Sequence, residues 1–107
     1  MDDNEFYDRQ GEILQDLGHA LIEATPESWN EATLELEQEE EGCSHVITSR
    51  EHSKDIVIAT DDIFEATGRL EDLFRERGQL WKRAVFSATR NDNDTEESWA
   101  FNVEYTY

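Results

Sequence analysis

Very little in this chain of 107 residues suits covalent cross-linking or membrane insertion. Cys43 is the only cysteine, so no internal disulfide can form. With no disulfide framework, the default compartment is the cytosol. No apolar run approaches the about 20 residues that a membrane-spanning helix needs. The opening residues Met1-Asp2-Asp3-Asn4-Glu5 are acidic and lack the basic region of a secretory signal, so a cytoplasmic location is expected. Pro26 is the only proline. No linker or internal repeat divides the chain, and one domain over residues 1–107 is expected.

Positive charge is also scarce. Nine bases stand against 27 acids, a formal net charge of −18. Nucleic acid and anionic membranes are therefore poor direct partners, and a basic protein is a good one. Two plainer readings of the charge are solubility and adaptation to high salt. The second is suggested by the bases themselves, since only Lys54 and Lys82 are not arginine.

Chemical motifs are missing as well. There is no Gly-rich phosphate loop, no CxxC pair, no HExxH and no GxSxG. His19, His45 and His52 show no metal-like spacing. No cofactor and no metal are expected. Cys43 and His45 can share one face of a strand, because alternate residues point the same way. No third group is evident to orient them, and a packed or exposed thiol is the simpler reading.

What the chain does have is clear periodicity. From Asp61 to Gly78, Ile63, Ala66, Leu70, Leu73 and Phe74 form an apolar stripe at helical spacing. Asp61 and Asp62 suit the positive N-terminal end, Arg75 and Arg77 the last turn, and Gly78 the stop. Thr60 stands where a cap would. After Gly78 the period becomes two. Ala84, Phe86 and Ala88 share a face of a strand entered at Trp81. Asn91 to Asp94 turn the chain, and Trp99, Phe101, Val103 and Tyr105 alternate with polar residues. Trp81, Phe86, Trp99, Phe101 and Tyr105 are the expected aromatic core. A ligand pocket is the less favoured reading of this set taken together with Tyr107.

The first half reads as a helix over Glu5 to Ala24, ended by Pro26. A strand over Trp29 to Glu37, a charged turn to Gly42, and a strand over Cys43 to Arg50 follow. A polar turn and a short third strand, Asp55 to Ala59, complete it. The predicted order is α-β-β-β-α-β-β. Hairpin-linked strands favour an antiparallel sheet, here an α+β fold with two helices on one face of five strands.

The acids are patterned. Glu31, Glu35 and Glu37 lie on the water-facing side of the first strand, about 6.7 Å apart where they are two residues apart, twice the strand rise. Glu39, Glu40 and Glu41 continue the patch into the turn. Asp92, Asp94, Glu96 and Glu97 form a second cluster in the last hairpin. A solvated face is the plain reading. The functional one is a docking surface for a basic cleft.

Layout and motifs together resemble the YezG-like family of immunity proteins, antitoxins of polymorphic bacterial toxin systems. The matching features begin with the leading amphipathic helix and Pro26-Glu27-Ser28-Trp29. They continue with Leu73-Phe74-Arg75-Glu76-Arg77-Gly78-Gln79-Leu80-Trp81 and the closing Phe101-Asn102-Val103-Glu104-Tyr105-Thr106-Tyr107. The order covers nearly the whole chain. The middle, Gly42 to Lys54, is less aromatic and less regular than in that family. The resemblance implies a non-enzymatic protein that binds and neutralises a secreted toxin domain, often a nuclease. Its motif residues look like fold determinants, so no binding residue follows from them. The partner expected is thus a basic toxin domain, with the chain itself a monomer or weak homodimer. A DNA-mimicking acidic regulator of a nucleic-acid-binding protein is the alternative, and a small enzyme using Cys43 and His45 a distant third.

Overall fold

A computed structural model of the chain describes residues 2–91 and 98–107. Helix α1 spans Asp3–Ala24. It starts two residues earlier than the apolar pattern suggests, because the Asp2 carboxylate accepts the Glu5 N–H at 2.8 Å and caps the first turn. Phe6, Ile13, Leu17, Ala20 and Leu21 are its buried stripe. Helix α2 spans Asp61–Arg77, with Thr60 as its N-cap. Gly78 closes it at φ 92°, a left-handed conformation that a side chain would strain.

Strands β1 (Glu31–Glu39), β2 (Gly42–Thr48), β3 (Arg83–Asn91) and β4 (Ser98–Thr106) form one antiparallel sheet in the order β2-β1-β3-β4. The α+β class holds, but among the described residues the sheet has four strands where the sequence predicts five. The sequence order is α-β-β-α-β-β. Residues 55–59 make only an isolated bridge, Val57 to Ile47, beside β2. Val57 and Ala59 pack against the core while Ile56 and Ile58 stay exposed. The alternation is that of a strand, but the ladder is absent.

Register explains the core. On the inner face, Ile47, Leu34, Phe86 and Val103 form one cross-strand row, and His45, Leu36, Ala84 and Tyr105 the next. Both helices cover this face. Leu34, Leu36 and Ala84 are fully buried, and Phe86 is 1% exposed. Residues of both helices and of β1, β2 and β3 join one buried cluster, and β4 packs against it.

Of the five expected core aromatics, Trp81 and Phe86 are buried, whereas Trp99, Phe101 and Tyr105 are half-buried. The reason is position. β4 is an edge strand, so its side chains have a neighbouring strand on one side only. Trp81 precedes β3 instead of starting it. Trp29 likewise precedes β1, and its ring stacks on His52 at 5.4 Å with an interplanar angle of 8°. That contact pins the polar turn after β2 onto the core.

Gly18 has a use that helix propensity hides. A Cβ there would lie 2.4 Å from the Phe101 ring. The glycine lets β4's aromatic approach the α1 backbone. Gly18→Ala is therefore expected to destabilise the protein despite the roughly 1 kcal/mol that alanine offers a helix. Overpacking of this kind costs about 1–3 kcal/mol. Chemical denaturation should show a net loss in Gly18→Ala and recovery in Gly18→Ala/Phe101→Leu. A more stable single variant would refute the close approach.

The helices are antiparallel and tied by ion pairs: Arg77 to Asp3 at 3.4 Å, Arg9 to Glu76 at 3.1 Å, and Arg69 to Asp16 at 2.7 Å. All are exposed, so each contributes at most about 1 kcal/mol. Their larger effect is on distribution, because they hold three of the nine bases between the helices. Among the described residues no helix is long and apolar enough to cross a membrane.

Candidate functional site

The sheet's second face carries no helix. Alternation along β1 sends Ala32, Leu34 and Leu36 inward and Glu31, Glu35, Glu37 and Glu39 to this open face. Glu39 is the last residue of β1, so it belongs to the strand row and not to the turn. Glu40 and Glu41 make the hairpin turn between β1 and β2, and both are exposed. Gly42 takes φ 143° as the chain re-enters the sheet. Asp92, Asp94, Glu96 and Glu97 lie outside the described residues. The strand ends that flank them, Asn91 and Ser98, pair at the Glu31 end of the sheet. The Glu40–Glu41 turn is at the other end.

The row is not uniform. Glu31 accepts hydrogen bonds from the Ser49 hydroxyl and from the Arg50 backbone N–H. It holds the chain as it leaves β2, which is a structural task. Glu35 is paired with Arg83 at 3.1 Å. Glu37 and Glu39 are exposed, and among the described residues neither makes an ion pair within 4.0 Å. The nearest bases in sequence register are Arg83, the cross-strand partner of Glu37, and Lys82, whose carbonyl accepts from the Gln38 N–H at 2.8 Å. Five carboxylates, Glu35, Glu37, Glu39, Glu40 and Glu41, thus face two bases at this end.

Cys43 and His45 share the inner face, as alternation requires, and neither is set up for nucleophilic work. Burial and the nearby charges of Glu71 and Glu39 push the Cys43 thiol up to about 11. At neutral pH it stays protonated, and the thiolate is the reactive form. The imidazole of His45 has partners on both sides. Nδ1 lies 3.1 Å from the Cys43 carbonyl oxygen and Nε2 lies 3.1 Å from Thr67 Oγ1. A carbonyl only accepts, so Nδ1 carries the hydrogen and the neutral ring's Nε2 accepts from the Thr67 hydroxyl. Phe64 meets the ring edge-on at 4.6 Å.

Burial lowers the His45 pKa from its usual 6.5, opposed by the Cys43 carbonyl and the Glu71 charge. The unfolded chain then binds the proton first as pH falls. Stability from this group is complete above 6.5 and is lost as pH drops from there toward the lowered value. His45→Leu is expected to be less stable at pH 8 but to lose less stability than the parent between pH 7.5 and pH 5.5, as read by urea unfolding. Parallel pH profiles would show that His45 is not the group responsible.

Part of the aromatic set does line a cavity. Tyr105 and Tyr107, with Phe6, Tyr7, Gln10, Phe74, Arg77 and Gln79, enclose about 270 Å³. The Arg77 guanidinium sits 4.1 Å from the Phe6 ring centroid, and Tyr105 donates to Gln10 Oε1 at 2.6 Å. Burial raises the Tyr105 phenol far above its usual range, so it stays a donor. Tyr105 and Gln10 satisfy each other here, and Arg77 rests on the Phe6 ring.

Among the described residues no group of three or more His, Cys, Asp or Glu is arranged to hold a metal ion. What remains is a surface of carboxylates on the β1–β2 hairpin, suited to ion pairing and charge-assisted hydrogen bonds with a basic partner. No protein-family model matches the chain, and no curated protein matches it.

Proposed function

We propose that this chain is a non-enzymatic immunity protein. It binds a cognate bacterial toxin domain, a nuclease, and neutralises it by laying acidic surface over a basic active site. The observation that carries the reading is the open sheet face ending in the β1–β2 hairpin. There Glu37, Glu39, Glu40 and Glu41 are exposed, while Arg9, Arg69 and Arg77 are engaged between the helices on the other side. Nuclease sites bind polyanions, so they present the cationic clefts that such a surface complements. The protonated thiol of Cys43 and the saturated imidazole of His45 favour stoichiometric binding over turnover.

The test is a titration of the chain against the nuclease activity of the domain encoded immediately upstream of it. Cleavage should stop at one equivalent, with a 1:1 complex by light scattering. A toxin domain that binds and stays fully active, or that does not bind at micromolar concentration, would remove the proposal. Failure with that domain and tight binding to a chromosomal DNA-binding protein would favour the DNA-mimicking regulator.

A further inference from the structure

Exposed large apolar side chains gather at one edge of this protein. Among the described residues Val46 (48% exposed), Ile56 (90%), Ile58 (81%) and Phe64 (49%) belong to β2, to the extended segment beside it, or to the first turn of α2. The bridge to buried Ile47 turns Val57 toward the core. In an extended chain the flanking Ile56 and Ile58 then point the other way, to the open face. The bridge is antiparallel, so Ile58 follows Val57 in the direction of Val46, the residue before Ile47, although no ladder continues there. A lone exposed isoleucine is ordinary. Two of them two residues apart, next to an exposed valine, form a patch of the kind that marks interaction sites.

Carboxylates border the patch. Asp55, which contacts His52 at 3.5 Å, and Lys54 precede it, Asp61 follows it, and Glu35, the cross-strand neighbour of Val46, also meets Arg83 at 3.1 Å. An apolar centre within a charged rim is the anatomy of a protein interface. We propose that Ile56, Ile58 and Val46 are the apolar anchor of a docking surface whose occupant is a cationic protein, its Lys and Arg side chains meeting the surrounding carboxylates. The proposal rests on the reading that the chain neutralises a basic toxin domain, and it locates the anchor of that contact at the β2 edge. A second copy of the chain is a poor occupant. It would bring the same carboxylates, on a molecule of net charge −18, against themselves.

The experiment compares the parent chain, Ile56→Ser/Ile58→Ser and Val46→Ser for binding to the upstream-encoded toxin domain, made as a catalytically inactive variant. Both isoleucines are solvent-facing, so the double variant should keep the parent's melting temperature. Its dissociation is expected to be at least about thirtyfold faster, with an association rate within about threefold, because apolar contacts act on residence time and charges on encounter. The loss should persist at high salt. Val46→Ser should show a smaller change of the same kind. Parent-like dissociation of the double variant, with the parent still bound tightly, would overturn the anchor and leave the immunity reading standing. No binding by the parent would overturn both. Dimerisation of the parent in sedimentation, abolished in the double variant, would assign the patch to a second copy and overturn the proposal.

Discussion

Phe86→Ala is expected to lower the unfolding free energy by about 3–5 kcal/mol, the range for a deleted core aromatic. Phe86 is 1% exposed and sits in the middle of the sheet, between Leu34 and Val103 in the inner row. Its ring centroid is 5.6 Å from that of Phe101. A small domain has about 5–15 kcal/mol in total, so the variant should be near the edge of folding at 37 °C. Phe101→Ala should cost less. Its ring is half-buried on the outer strand, and removing it deletes less shielded surface and leaves a gap that solvent can fill. Urea unfolding of both variants reads the difference. Equal losses would mean that β4 is covered as fully as β3, contrary to the observed burial.

Charge reversal at the hairpin should have the largest effect on the association rate. Glu37→Lys/Glu39→Lys/Glu40→Lys is expected to slow association with the toxin domain by about tenfold or more at low salt, within the range by which electrostatic steering accelerates encounter. The difference should shrink as salt rises, since the Debye length falls from about 10 Å at 0.1 M to about 3 Å at 1 M. The control is Asp8→Lys/Glu12→Lys on the exposed side of α1. Stopped-flow association over a salt series separates the outcomes. Equal, small effects from both variants would reduce the acidity to general solvation. A larger effect from α1 would put the contact on the helical side. Glu31 is left out of the variant because it holds Ser49 and Arg50, and its reversal would disturb the end of β2.

Much of this fold was legible in local pattern. The α2 stripe, its acidic start and basic last turn, and the Gly78 stop all follow from helix geometry and the macrodipole, and the structure has each of them. Alternation assigned the faces of β1 correctly, because a side chain's direction in a strand depends only on its own backbone. The same reasoning put Glu35 and Glu37 on the water side. It went astray at Asp55 to Ala59, where alternation is present and pairing is not. Period reports which way a side chain points, whereas a ladder also needs a neighbour in register, and only Val57 has one.

The sequence alone therefore determined the two helices, the inward and outward sets along β1, β3 and β4, the lack of any disulfide, and the acidity. These are properties of local geometry and of composition. Tertiary structure decided the rest. It made β4 an outer strand, so that Trp99, Phe101 and Tyr105 are only half-covered. It turned Gly18 from a weak helix residue into the place where Phe101 meets α1. It engaged Glu31 in holding the end of β2 and drew Arg69 and Arg77 into the helix seam, leaving Glu37 and Glu39 exposed at the hairpin. Each of these depends on contacts between residues far apart in the chain. No local period encodes them, because they arise only when strand order and helix placement bring distant side chains together.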